Sequence, residues 1–283
     1  MEPTTLYTAG FGVGTTLVCL VLLRIFQRIV SPSHQLGSTN AAWRLLQVGH
    51  VFAVFLLAAA VVKHGVTGAD LTADLTVAAV YGLVGLIVIH VAGAISTRAL
   101  FRAQLRAELD RGNAAAGLAA GAHFVAIGIL ASRSVVGGDL ADVGLALIFF
   151  VIGLASHALF VSLYRLLTAY DDAEQIHGEN AAAAISYAGI SVAVAILIAR
   201  ALTGEGEFPG WGPAMLGFGG VALCALGLYP VRQIVVQWLL LGARPSLRGG
   251  RIDEAIARDR DAALASLEAT TYLATALAIA VLA

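Results

Sequence analysis

The sequence contains little charge. Of its 283 residues only 12% are Asp, Glu, Lys or Arg, whereas 59% are apolar. A soluble globular domain is about one-quarter charged and about half apolar. The formal net charge is −1, so we expect no nucleic-acid partner. Together with a mean hydropathy of +0.87, this composition excludes an ordinary water-soluble domain and predicts a protein of the lipid bilayer.

Cysteine and recognisable catalytic motifs are also scarce. The two cysteines, Cys19 and Cys224, lie within apolar runs, where they are interpreted as small packing residues and not as a disulfide or a metal site. The sequence contains no CxxC, Walker loop, GxSxG or HExxH motif. Because the connecting segments are short, a large soluble active site has no room, and we expect no enzymatic activity.

Long apolar runs dominate what is present. An α-helix needs about 20 apolar residues to cross a hydrocarbon layer of about 30 Å. Runs of this length lie near residues 7–30, 41–62, 75–99, 114–134, 143–168, 181–202, 213–241 and 262–283. They are continuous blocks and not the alternating segments of a β-barrel. The sequence therefore predicts an all-α polytopic membrane protein with eight transmembrane helices.

The basic residues predict the orientation. Fourteen of the 17 fall at or near one end of the eight helices, and the other three are Lys63, Arg133 and Arg200. Cytoplasmic loops carry an excess of Lys and Arg, so we place the loops near 31–40, 100–113, 169–180 and 242–261 in the cytoplasm and both termini outside. No basic segment precedes the first apolar run, so a cleavable signal peptide is not expected.

An internal repeat organises the chain, because every second predicted helix begins in a similar way. The residues at these starts are Asn40, Asn113, Asn180 and Asp261, each followed by Ala-Ala. Asn and Asp side chains cap the free N–H groups of a first helical turn. Each unit contains two spans, so the sequence predicts four parallel two-helix repeats related by an axis along the membrane normal.

Small residues predict where the helices pack. They recur along the Ala-rich helices, as at Gly117 and Gly121, and a further pair stands at Gly10 and Gly14. Such pairs allow two helices to approach closely. We therefore expect the Ala-rich helices to be central.

These features resemble a known bacterial membrane family, domain of unknown function 350. The resemblance rests on the Asn-Ala-Ala starts, on acidic residues before two of them (Asp172 and Asp253), and on a small residue within the helix (Gly49, Gly121 and Gly189). It implies two four-helix modules in tandem, residues 1–138 and 139–283, in the bacterial cytoplasmic (inner) membrane. It also implies an association with membrane stress, but no established reaction.

Ionisable residues inside the predicted spans are the candidate site, because polar groups at membrane depth are costly. His50 and His123 lie ten residues after Asn40 and Asn113, about 15 Å from the start of their helices. His90 and His157 each lie 23 residues before the next helix start, and Glu268 lies seven residues after Asp261. The predicted midplane polar site therefore comprises His50, His90, His123, His157 and Glu268.

Several functions fit this site. The histidines are interpreted either as buried hydrogen-bonding residues inherited by duplication or as part of a channel or transporter for protons, cations or small solutes, whose repeats surround the site. The same imidazoles could hold haem or a metal ion for electron transfer. A third hypothesis is a non-transporting scaffold that recruits a cytoplasmic partner protein. The sequence leaves these alternatives open, and it leaves open whether the chain forms a homo-oligomer.

Three further segments carry expectations. The acidic residues Asp171, Asp172, Glu174 and Glu179 predict a solvated loop. The segment from Arg244 to Asp261 has helical periodicity and is expected to lie on the membrane surface. Pro230 predicts a kink beside Arg232.

Overall fold

The computed structural model describes residues 3–30, 39–102, 104–135, 140–203 and 210–282, and within these residues the chain is helical and contains no strand. Eight helical segments are long and apolar enough to cross a membrane. The prediction of an all-α protein with eight membrane helices is therefore confirmed.

The helices follow one another in this order: α1 (Pro3–Val30), α2 (Ala41–Gly65), α3 (Leu71–Leu100), α4 (Leu105–Asp110), α5 (Ala114–Ser134), α6 (Val143–Leu167), α7 (Asp172–His177), α8 (Ala181–Ala201), α9 (Trp211–Leu223), α10 (Leu228–Arg232), α11 (Arg251–Ala257) and α12 (Ala262–Leu282). A 3₁₀ turn, Leu140–Asp142, precedes α6. The short helices α4, α7 and α11 lie in three of the loops at the Arg-rich end of the molecule, meaning the end that carries most of the arginines.

The seventh membrane segment, Trp211–Leu240, is irregular. A 3₁₀ turn (Cys224–Gly227) follows α9, and a π-helical stretch (Gln233–Leu240) follows α10. Pro230 lies in α10, between these two irregular stretches. The helix thus changes type on both sides of Pro230, which cannot donate a helical hydrogen bond and clashes with the preceding turn. The kink expected beside Arg232 stays a prediction.

The four Ala-rich helices α2, α5, α8 and α12 form a row. Each packs most extensively on the next, and α3, α6 and the seventh segment lie in the grooves between successive members. No extensive contact joins α2 to α12, both of which are described in full, so the row is open. The repeats are therefore arranged side by side. They do not surround a central site as the sequence had led us to expect, because each unit packs mainly on its neighbours in the chain.

Small residues permit the close packing along this row. A methyl group added at Gly49 would overlap the carbonyl of Gly121, and one added at Gly121 would lie 2.5 Å from the carbonyl oxygen of Leu45. The expected close approach at Gly121 is therefore present, between α2 and α5. By contrast, a methyl group at Gly10 or Gly14 would meet nothing within 4 Å in the described residues, so this pair does not bring helices together.

Each asparagine at the start of an Ala-rich helix also joins two repeats. The Asn113 Oδ1 atom accepts the Ala116 N–H at 3.1 Å and caps α5. Its Nδ2 group donates to the Ile176 carbonyl of α7, in the next repeat, at 2.8 Å, and to Glu108 at 2.6 Å. Corresponding bonds run from Asn40 to the Leu109 carbonyl (2.7 Å) and from Asn180 to the Ile256 carbonyl (2.8 Å). The amide therefore fixes the register of successive repeats.

Asp261 occupies the same position in the fourth repeat but makes only the cap. Its Oδ1 atom accepts the Leu264 N–H at 2.9 Å. The side chain is exposed and makes no other hydrogen bond within the described residues. A carboxylate suffices here because no carbonyl of a further repeat has to be reached.

Two loops pack on the protein more closely than expected. Helix α11, within the segment expected at the membrane surface, buries Ile252 and Ile256 completely against the neighbouring helices, so these side chains do not face lipid. The expectation of a solvated acidic loop was wrong at Asp172, which is buried, and Asp171 pairs with Arg102. In both cases the loop residues pack on or pair with the ends of the membrane helices. Periodicity and charge counts do not reveal such contacts.

We predict opposite effects for two glycine substitutions. Gly49→Ala should destabilise the protein by about 1–3 kcal/mol, because the added methyl group would overlap α5. The matched change Gly10→Ala should be neutral or stabilising by up to about 1 kcal/mol, since alanine favours a helix and has open space there. Thermal unfolding in a neutral detergent measures both, and equal effects would contradict the described packing of α2 on α5.

Two serine substitutions distinguish the capping of a helix from the hydrogen bond that joins two repeats. Asn113→Ser keeps a capping oxygen but removes the amide that reaches Ile176 and Glu108, which should cost about 1–3 kcal/mol of unfolding free energy. Asp261→Ser also keeps the cap and removes nothing else, so its effect should stay within about 0.5 kcal/mol. Chemical denaturation in detergent measures the difference. Similar losses at both positions would mean that the amide does not couple the repeats.

Candidate functional site

A buried ion-pair network lies near the Arg-rich end of the second module. Arg232 of α10 is completely buried, and its Nε and Nη2 groups donate to Glu268 of α12 and Asp253 of α11. The second Glu268 oxygen accepts the Ser186 hydroxyl of α8 at 2.5 Å, and the second Asp253 oxygen accepts the Ala169 N–H at 2.6 Å. Four helices and a loop are therefore joined around one guanidinium group.

A second ion pair adjoins this network. Arg165, near the end of α6, donates from Nε to the Asp172 carboxylate of α7 at 3.1 Å. Asp172 is 4% exposed and lies close enough to Glu268 to feel its charge. We call Arg165, Asp172, Arg232, Asp253 and Glu268 the charge cluster.

The charge cluster has more carboxylates than arginines. It contains three carboxylates, each nearly inaccessible to solvent, and two guanidinium groups. Burying unbalanced charge in a medium of low dielectric constant is costly, and a carboxyl group under these conditions takes up a proton more readily. The arrangement therefore favours one bound proton.

Asp172 is the member of the cluster whose acidity reflects this imbalance. Burial raises the pKa of its carboxyl group from 3.8 to about 7, with Glu268 and Asp171 adding to the effect and Arg165 opposing it. A carboxyl group with this pKa changes its protonation state near neutral pH. Tyr170, which lies beside the cluster with its hydroxyl 3.5 Å from Ser186 Oγ, has its pKa raised well above 10 by burial and so remains protonated.

A second set of hydrogen bonds lies beside the cluster, toward the membrane interior. Ser186, which binds Glu268, is followed by Tyr187, whose hydroxyl lies 3.0 Å from His123 Nδ1. His123 Nε2 lies 2.7 Å from Ser96 Oγ, and Ser96 donates to the Ala92 carbonyl at 2.6 Å. Because the Ser96 proton is used by that carbonyl, the network assigns the His123 proton to Nε2 and makes Nδ1 the acceptor from Tyr187.

His157 belongs to the same region. Its ring centroid lies 5.8 Å from that of His123, and its Nε2 atom lies 3.0 Å from the Ser191 carbonyl oxygen of α8. Both histidines are buried. The contact between α5, α6 and α8 is therefore polar at its centre.

The other two histidines form a separate pair in the first module. The rings of His50 and His90 stack with centroids 5.4 Å apart. Each Nδ1 atom bonds a carbonyl of its own helix, Leu46 at 3.0 Å for His50 and Leu86 at 2.8 Å for His90. Phe124, the residue after His123, packs on His50 with centroids 3.9 Å apart and so separates the two pairs by an aromatic ring.

The five residues of the predicted midplane site thus lie in three groups. His50 pairs with His90, His123 pairs with His157, and Glu268 lies in the charge cluster. Successive groups are adjacent along the row, through Phe124 and through Ser186–Tyr187. The sequence spacing predicted that these residues lie at a similar depth, but it did not predict the lateral distances between their helices.

Sequence reasoning did not assign Arg165, Arg232, Asp172 or Asp253 to the site, although a signal was present. Arg98, Arg165 and Arg232 recur at intervals of 67 residues, and Asp172 and Asp253 each stand eight residues before a helix cap. The pairing is obscured because seven residues separate Arg165 from Asp172 whereas 21 separate Arg232 from Asp253. The longer fourth loop hides the repeat from a search at fixed spacing.

The described histidines do not gather into a cluster able to hold a bare metal ion. The four imidazoles form two pairs, and the described residues contain no group of three or more His, Cys, Asp or Glu side chains able to hold a metal ion. Both ring nitrogens of His123 are within hydrogen-bonding distance of protein groups. Metal ligation at this position would have to break one of those bonds.

Comparison with known proteins identifies one family. The model of the Domain of Unknown Function (DUF350) family matches the chain twice, over residues 2–135 and 139–283. These matches follow the tandem organisation that the repeat predicts. No curated protein and no solved structure matches the chain.

The pKa of Asp172 leads to a prediction about stability. Since its folded pKa (about 7) exceeds the ordinary value of 3.8, the folded protein binds more protons between these values. The resulting stabilisation is complete below about pH 4 and is lost as the pH rises through 7. Compared with Asp172→Asn, the wild-type unfolding constant should therefore rise by up to about tenfold per pH unit between about pH 5 and 7.

Chemical denaturation in detergent across this pH range measures the effect. The matched control is Asp171→Asn, which changes the neighbouring carboxylate that pairs with Arg102 at the surface. It should retain the wild-type slope and shift only its upper limit to slightly lower pH, because the Asp171 charge adds to the raised pKa of Asp172. Parallel pH profiles for wild type and Asp172→Asn would show that Asp172 does not hold the proton.

Proposed function

We propose that this chain, which belongs to the DUF350 family as two tandem copies, conducts protons across the membrane. The charge cluster of the second copy carries the proposal. The charge cluster takes up and releases one proton, and the protein has no enzymatic activity of its own. The observation that carries this proposal is the burial of three carboxylates against two arginines in a chain of membrane helices.

The charge balance supports proton binding. A cluster with equal numbers of carboxylates and arginines would be neutral and could serve only as a structural tie. With one carboxylate in excess, the protonated cluster is neutral and the deprotonated cluster carries one negative charge. Ionisable groups in membrane segments commonly belong to proton or ion pathways.

The polar contacts support a route for the proton. Glu268 accepts the Ser186 hydroxyl, and Tyr187, the next residue of α8, hydrogen-bonds His123 near the middle of the membrane. No hydrogen bond within the described residues joins Asp172 to Glu268 or Ser186 to Tyr187, so the proton crosses these two steps by way of water or a side-chain movement. Histidine can accept and donate a proton at different ring nitrogens. The route from cluster to imidazole therefore uses groups suited to proton transfer and lies at the contact of the second and third repeats with the fourth.

The orientation follows from the distribution of arginine. We place the Arg-rich end in the cytoplasm and both termini outside, in the cytoplasmic membrane of a bacterium, because cytoplasmic loops retain Lys and Arg. In this orientation Asp172 exchanges its proton with the cytoplasm and His123 lies at the midplane.

Reconstituted vesicles test the proposal. Wild-type protein in liposomes that contain a pH-sensitive dye should admit protons when a potassium diffusion potential drives them inward. Asp172→Asn leaves two carboxylates against two arginines, so it should lower the proton flux by about a hundredfold, the lower end of what a positioned proton-transfer group contributes, or to the rate of protein-free vesicles.

Asp171→Asn is again the matched control and should transport like wild type. Glu268→Gln should also abolish the flux, provided that circular dichroism shows the variant to be folded. If wild-type vesicles move sodium or potassium but no protons, the cluster binds a metal cation and the proton proposal is wrong. If they move none of these ions, the proposal fails as well.

A further inference from the structure

A pocket in the first module has a chemistry that the charge cluster does not share. It is a cavity of about 390 Å³ between α1, α2 and α3, close to the Arg-rich end. Arg98 and Arg106 lie along its outer part, and His50, His90 and Phe124 line its inner part. The pocket is therefore cationic at one end and aromatic at the other.

Comparison of the repeats shows what is special about Arg98. Its counterparts at intervals of 67 residues are Arg165 and Arg232, which pair with Asp172 and Asp253. These two acids stand eight residues before a helix cap, and the residue at that position in the second repeat is Leu105. Leu105 lines the pocket, so the carboxylate that would neutralise the arginine is missing from this repeat.

Arg98 is consequently a cation without an internal counter-ion. It makes no hydrogen bond or ion pair within the described residues, and Arg106 has only the exposed Asp110 at 3.8 Å. An arginine at a cavity presents a planar fork of donors that matches a carboxylate or a phosphate group. In the first module the negative charge beside the arginine therefore has to come from a ligand. In the later repeats Asp172 and Asp253 provide it.

The length of the pocket indicates more than a free anion. Arg98 lies eight residues after His90 on α3, which is about 12 Å along the helix. At the inner end the buried Nε2 atom of His90 has no hydrogen-bond partner within the described residues, and Phe26 packs on the imidazole with ring centroids 4.7 Å apart. A ligand that fills the cavity therefore has an anionic head and an extended, mainly apolar body.

We propose that this pocket binds an anionic amphiphile, with its carboxylate or phosphate on Arg98 and Arg106 and its chain along Phe26 and Phe124. The inference is independent of proton transport, because it concerns the first module and none of the residues of the charge cluster. A phospholipid head group and a free anion share the arginine chemistry, so the test has to separate them.

Trp43 lines the pocket and provides the readout. In a variant with Trp211→Phe and Trp238→Phe it is the sole tryptophan, and a lipid with dibrominated acyl chains quenches its fluorescence on contact. In neutral detergent, brominated phosphatidylglycerol should quench Trp43 at about tenfold lower concentration than brominated phosphatidylcholine, as expected for a charge-assisted contact. Equal quenching by the two lipids would overturn the proposal.

Two variants in this background test the repeat argument. Leu105→Asp restores the carboxylate found in the later repeats and should abolish the preference for phosphatidylglycerol, whereas the uncharged Leu105→Asn should retain it. Arg98→Gln should also abolish the preference, and Arg102→Gln, whose arginine lies outside the pocket lining, should retain it. A preference that survives both Leu105→Asp and Arg98→Gln would place lipid binding elsewhere.

Inorganic phosphate distinguishes the two sources of the anion. Unbrominated phosphatidylglycerol should relieve the quenching of Trp43, and inorganic phosphate should do so only at concentrations at least about a hundredfold higher, because it lacks the apolar body. If phosphate competes as well as the lipid does, the pocket is a site for free anions and the amphiphile proposal is wrong.

Discussion

The hydrogen bond from an asparagine amide to the carbonyl of the next repeat is the interaction on which the architecture depends. Asn40, Asn113 and Asn180 each cap one helix and bind the short helix of the following unit. A backbone carbonyl away from water needs a donor, so the bond fixes how far each unit is shifted along the membrane normal. That register brings Tyr187 to His123 and Ser186 to Glu268. The polar contacts of the site are thus a consequence of the way in which the repeats are joined.

Close packing imposes the second constraint. Where α2 crosses α5 the backbones touch at Gly49 and Gly121, and such an interface has no room for water around a polar side chain. Several buried polar groups therefore bond to a neighbouring helix in place of water. His123 does so with Tyr187 and Ser96, and Arg232 does so with Glu268 and Asp253. The excess carboxylate of the cluster has no such solution except a proton, which is why function is argued from charge balance and not from the presence of polar residues alone.

The number of membrane helices, the tandem organisation and the capping residues could be read from the sequence, because each leaves a local signal of length, spacing or residue type. The lateral arrangement could not. His50 and His123 stand at the same distance from Asn40 and Asn113, but depth alone does not determine which helices face each other, and the structure pairs each with the histidine of a different neighbouring helix. The charge cluster was obscured for another reason. Arg232 and Asp253 are joined by a longer loop than Arg165 and Asp172, so their equivalence becomes visible only when the short helices α7 and α11 are seen to occupy the same place.

The two modules share the same helix arrangement but differ in the surroundings of the repeated arginine. Repeats three and four carry an arginine with its own carboxylate. Arg232 is completely buried with its partners, and in repeat three Asp172 is buried while Arg165 stays partly exposed. A charge can be buried in this way when an opposite charge pairs with it. In repeat two a leucine replaces the carboxylate, and an unpaired arginine cannot be buried in the same way. Arg98 is accordingly exposed and a cavity remains beside it. The residue at one repeat position is therefore an acid where the arginine is paired, in the second module, and a leucine where the arginine is exposed beside an open pocket, in the first.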